Sequence, residues 1–113
     1  MGNRSPSKSK VIRVTAEPGI CGFPCVIEAR RTGRYTVSIK IKDSECKHGQ
    51  RLSGLVQKMT MKELFAPVTR NPVFLSAQRA GCHPSCPIPI AILKAVEVAM
   101  EMALPRDAVI RFE

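Results

Sequence analysis

Tyr35, Val37, Ile39 and Ile41 alternate with Thr36, Ser38, Lys40 and Lys42. This is the period-two pattern of a strand with one buried face and one wet, basic face. Upstream, Val11-Ile12-Arg13-Val14-Thr15 is short and β-branched and reads as a first strand, ended by Glu17-Pro18-Gly19. Val26 to Arg30 reads as a second strand. The short turn at Thr32-Gly33 predicts a hairpin between it and the Tyr35–Lys42 strand.

Downstream the period changes. From about His48, Leu52, Leu55, Val56 and Met59 fall at helical spacing. Thr60 with Glu63 three residues on forms the capping-box signature of a short helix through Phe65. Pro67 and Pro72 punctuate a connector, and Val73 to Ala80 favours a helix that Gly81 ends. The run from Ile90 to Leu104 is apolar except at Lys94, Glu97 and Glu101, which share one stripe of a helix. Pro87 suits a first helical position, making Cys86 the expected N-cap of a helix buried nearly all round. After Pro105, Ala108, Ile110 and Phe112 alternate as a last strand. The order predicts an α+β fold: a small, mostly antiparallel sheet with helices packed on one face.

Composition adds bounds. The chain has 113 residues, 44% hydrophobic and 24% charged, as in an ordinary globular protein. We expect a disordered basic tail over residues 1–10, part of it consistent with a vector-derived leader, and a single domain over 11–113. Lys94 and Glu97 interrupt the best apolar run, so no membrane span is expected. The start of the chain lacks the apolar core of a signal peptide, which makes the cytoplasm the expected location. The net charge is +9. With no Trp, one Tyr and no recognisable reading motif, a solvated basic surface is favoured over a nucleic-acid site.

Five cysteines change the picture more. In a reducing compartment that density points to metal or redox chemistry rather than a disulfide framework. Cys21 and Cys25 follow the first strand, Cys46 follows the third, and Cys82, His83 and Cys86 precede the long helix. Thiolates meeting at one edge of a small domain suit tetrahedral zinc or an iron–sulfur cluster, and a helix N-terminus offsets their negative charge. His83 is a candidate nitrogen ligand or a cap for the preceding helix; His48, beside Lys47, reads as surface. A cluster of buried, unliganded thiols is the plain alternative. No Ser/His/Asp set, paired carboxylates or phosphate-binding glycine loop is visible, so an enzymatic activity is left open.

The combination Cys21-Gly22-Phe23, Ser44-Glu45-Cys46, His83-Pro84-Ser85-Cys86-Pro87-Ile88-Pro89 and Leu93-Lys94-Ala95-Val96-Glu97, closing with Ala103-Leu104-Pro105, resembles a small family of uncharacterised prokaryotic proteins. The likeness runs from about Val11 to Phe112. It implies Cys21, Cys46, His83 and Cys86 as the core set, with Cys25 and Cys82 as additions of this sequence. Cys86-Pro87-Ile88-Pro89 is also similar to the Cys-Pro-x-Pro motif of small sulfur-carrier proteins, in which the cysteine carries a persulfide. The expected function is therefore metal or iron–sulfur binding through Cys21, Cys46, His83 and Cys86, with Cys25 or Cys82 completing the shell. A persulfide carrier or thiol redox protein acting through Cys86 is the alternative, and a basic nucleic-acid-binding module the second alternative.

Overall fold

A computed structural model describes residues 10–19, 23–42 and 45–113. The expected basic tail, apart from Lys10, and Cys21 lie outside the described residues. Strands β1 (Val11–Ala16), β2 (Cys25–Arg31), β3 (Thr36–Lys42) and β4 (Lys58–Thr60) form one antiparallel sheet in sequence order. Helix α1 (Lys47–Leu55) lies between β3 and β4. Helices α2 (Met61–Leu64), α3 (Pro72–Ala80) and α4 (Ile88–Ala99) follow, with a 3₁₀ turn at Val68–Arg70. This is the expected α+β class.

Register explains the layering. Ile12, Ala29 and Ile39 stand side by side, as do Val14, Ile27 and Ile41, all on one face. Helix α4 packs across β1 and β2 on that face, α1 packs on β3, and α3 lies against both helices. The shared core includes Ile27, Val37, Leu52, Met59, Ile88 and Ile92. The other face carries Arg13, Glu28, Lys40 and Lys42. Arg13 donates from Nη2 to Glu28 Oε2 at 2.8 Å, and Lys42 Nζ lies 3.7 Å from the same oxygen. The expected wet, basic face of β3 is there.

Four local expectations are corrected. Met59 is not the end of the first helix. That helix stops at Leu55, and Met59 sits in β4, where Gln57 O accepts from Ile39 N and Tyr35 O from Met61 N. Tyr35 does not begin the buried face of β3 but is exposed before it. The Arg31 guanidinium bonds the carbonyls of Gly33 and Arg34, so the turn runs over residues 32–35. Helix α4 is shorter and less enclosed than its composition suggests: it ends at Ala99, and Ile90 is 49% exposed. Residues 103–113 form no strand with the sheet; Ile110 and Phe112 stand in solvent. Alternation describes what a strand needs on its two faces but supplies no neighbour for its backbone.

Other signals hold. Glu63 N donates to Thr60 Oγ1 at 3.1 Å while Thr60 N donates to Glu63 Oε1 at 2.9 Å, a complete capping box. Asn71, 2% exposed, ties the next joint together. Its Oδ1 accepts from Val73 N, capping α3, and its Nδ2 donates to the carbonyl of Glu63 in α2 and to that of Ala66 just beyond it. Among the described residues no helix is long and apolar enough to cross a membrane.

Asn71→Ala removes the cap and strands buried carbonyls, so a loss of about 1–3 kcal/mol is expected from urea unfolding. Asn71→Asp keeps the cap but not the donor, and is expected to recover only part of that loss. An alanine variant as stable as the parent would show that these bonds are replaced by water.

Candidate functional site

Three chain segments deliver the described cysteines to one place. Cys25 opens β2 opposite Ala16, the last residue of β1, and is buried. Cys46 is the N-cap of α1, its carbonyl accepting from Gln50 N at 3.0 Å.

The turn after α3 places the third. Gly81 adopts φ 82°, Gly81 N donates to Gln78 O, and Cys82 N donates to Ala77 O at 2.9 Å. These paired bonds are a Schellman motif, which turns the chain back over the helix end and sets Cys82 two residues past its last turn. Glycine has two reasons to be here. The left-handed conformation suits it, and a Cβ would sit 3.2 Å from His48 Nδ1. A second turn, with Cys86 N donating to His83 O at 3.0 Å, carries the chain into α4. Cys86 is therefore not the N-cap expected from Pro87. Pro87 itself is the cap, its carbonyl accepting from Ala91 N, and Cys86 stands one residue outside.

Cys46, His48, Cys82, His83, Cys86 and Ile88 help to line a pocket of about 110 Å³. That is room for an ion and a few waters, well below the roughly 300–1,000 Å³ of a drug-sized ligand site. No described carboxylate, lysine or arginine lines it. Cys25, Cys46, Cys82 and Cys86 carry thiols rather than disulfides. Burial, and then the neighbouring Cys86 and Cys46, pushes both the Cys25 and Cys82 thiols up to about 11. The Cys82 thiol also donates a hydrogen bond to the Cys86 sulfur. Cys25 and Cys82, which the resemblance sets apart, thus belong to the same group as Cys46 and Cys86.

His48 is the residue the sequence concealed. Expected at the surface, it is half-buried in the first turn of α1, with Nδ1 3.0 Å from the Ala80 carbonyl oxygen. A carbonyl only accepts, so Nδ1 carries the proton and Nε2 of the neutral ring keeps its lone pair. The His83 ring, exposed at the mouth, is centred 6.1 Å from that of His48. Nothing in the Lys47-His48 dipeptide signals this; the partner carbonyl is 32 residues away. Among the described residues no three Cys, His, Asp or Glu side chains already stand at metal-ligand positions.

The raised thiols set a pH dependence. Unfolding returns Cys25 and Cys82 from about 11 toward the ordinary 9.0. The fold therefore keeps this contribution below about pH 9 and loses it as pH rises through the interval to about 11. At about pH 7.5 each folded thiol holds roughly a hundredfold less thiolate than an ordinary one, so alkylation should be slow until strong alkali. Iodoacetamide rates by mass spectrometry on the metal-free protein check this. Half-maximal reactivity of Cys25 near pH 8–9 would contradict the burial argument.

No curated protein and no solved structure matches the chain. One family model does, over residues 12–112, nearly the whole length and including every cysteine and both histidines of the site. The chain thus belongs to the family of unknown function DUF6951.

Proposed function

We propose that this protein binds a thiophilic metal, as a zinc ion or an iron–sulfur cluster, at the thiol cluster beside the start of α4. The observation that carries the reading is the meeting of Cys25, Cys46, Cys82 and Cys86 from three separate segments, close enough that Cys86 and Cys46 raise the thiols of the other two. A lone nucleophile needs one sulfur and a base. Four sulfurs without a carboxylate form a soft donor set, the kind that selects zinc or iron over magnesium or calcium.

The donor chemistry fits the group. Placing several thiolates together in a half-buried pocket is unfavourable without a cation, which is what the upward shifts of Cys25 and Cys82 express. A bound metal would supply that charge and hold the sulfurs deprotonated. Cys46, Cys82 and Cys86 would hold it, with Cys25, Cys21, His83 or Nε2 of His48 completing the shell. Because α4 begins two residues after Cys86, its N-terminal dipole favours negative charge nearby. The described side chains must close on the ion, since no ready-made triad exists among them.

One observation favours a second reading, sulfur transfer or thiol redox chemistry through Cys86. The Cys82 thiol hydrogen-bonds the Cys86 sulfur, and such a donor also supports a persulfide or thiolate awaiting a partner. The two readings differ in whether Cys86 is tied to a metal.

Anaerobic reconstitution with Zn²⁺, or with iron and sulfide, followed by metal analysis and absorption spectra, tests the first. About one equivalent of zinc or one cluster per chain is expected. Binding should weaken as pH falls, because protons must leave the thiols. Cys46→Ser and Cys86→Ser should each abolish stoichiometric loading. Less than about a tenth of an equivalent, before and after reconstitution, would overturn the proposal. Selective, rapid alkylation of Cys86 in a protein whose Cys86→Ser variant still loads metal would favour the carrier.

A further inference from the structure

Helix α4 ends in its own Schellman turn. Met102 N donates to Glu97 O at 2.8 Å and Glu101 N to Val98 O at 2.9 Å, with Glu101 at φ 62°. A left-handed residue other than glycine costs about 1 kcal/mol or more, so the chain's departure from α4 is set against a local preference. Beyond it lies a segment with a strand's composition and no strand partner. Ala108, Ile110 and Phe112 alternate with Val109 and Arg111, and Val109, Ile110 and Phe112 are 63%, 88% and 98% exposed. The pattern that predicts a last strand is therefore present in full, while the sheet of its own chain leaves it unpaired.

The sheet has a matching vacancy. Strand β1 pairs with β2 on one side and stands at an edge, six residues long, where β4 at the opposite edge has three. Ile12 and Val14, which face the helices from β1, are only half-buried, so the core is thinly covered along this edge. Among the described residues no strand pairs with the outer side of β1, and a long, apolar edge is a template for another strand.

We propose that two copies of this chain pair reciprocally, the segment around Ala108–Phe112 of each adding an antiparallel strand to the β1 edge of the other. A second copy is the occupant because both halves of the joint are on every chain, and a two-fold exchange satisfies both at once. The side chains fit one register. With Phe112 beside Val14, Ile110 lies beside the small Ala16, and both aromatic and aliphatic groups extend the core face. On the outer face the same register sets Glu113 beside Arg13, whose side chain is 66% exposed and already bonded to Glu28. An aromatic beside a β-branched residue and an acid beside a base are pairs that stabilise neighbouring strands.

The test uses the full chain in excess reductant, which excludes dimers joined by cysteines. Light scattering on a sizing column should give about twice 12.4 kDa, and the β1 amides should be protected in hydrogen exchange. Ile110→Lys and Phe112→Asp alter side chains that stand in solvent in the single chain, so each variant should fold normally, run as a monomer and lose β1 protection at least tenfold. A monomeric parent overturns the proposal, and so does a dimer that survives both substitutions. A monomer whose β1 protection disappears in Ile110→Lys would show the segment folding back on its own sheet, which also overturns the exchange. Ile110 and Phe112 line no part of the thiol pocket, so the oligomeric state is read separately from metal binding.

Discussion

The left-handed turn at Gly81 is the constraint on which the site depends. Within seven residues the chain must leave α3, present Cys82, reverse through His83–Cys86 and enter α4. The paired bonds from Gly81 and Cys82 back to Gln78 and Ala77 fix the first reversal, and the His48 ring closes over the space a side chain would fill. His48 is held in turn by the Ala80 carbonyl at the end of α3, which Arg51 Nη1 also approaches at 3.4 Å. One turn thereby joins α1 to α3 and brings Cys46, at the head of α1, toward Cys82 and Cys86.

The rest of the fold supplies the walls. Helix α4 can enter beside the thiols because its buried face, Ile88, Ile92, Ala95 and Val96, packs on the inner side of β1 and β2. Cys25 reaches the cluster as the first inward residue of β2, in line with Ile27 and Ala29. Burial of that kind is what makes the Cys25 and Cys82 sulfurs resist ionisation. It also gives a soft cation its advantage, since the cation removes the repulsion the four sulfurs impose on one another.

Much of this was legible in the residues. The alternation through β3, the Thr60–Glu63 capping box and the glycine stop at Gly81 each rest on a local rule that tertiary context did not override. So did the position of Cys25, Cys46, Cys82 and Cys86 at element ends. What failed was non-local. Strand β4 is three residues long, too short to show a period, and exists because β3 offers it an edge. The alternation of Ala108, Ile110 and Phe112 carried no information about which edge would receive it. Cys86 missed the cap position by one residue because the His83–Cys86 turn leaves Pro87 as the cap and Ile88 to begin the helix. His48 and Asn71 take their roles from carbonyls that other elements happen to leave near them.

The central claim is that the clustered sulfurs act together on one metal. X-ray absorption at the zinc edge of the reconstituted, full-length protein reads this directly. The account predicts a shell of three or four sulfur scatterers at about 2.3 Å, with any remaining ligand a nitrogen at about 2.0–2.1 Å. A shell made only of oxygen and nitrogen, with no sulfur, would contradict it.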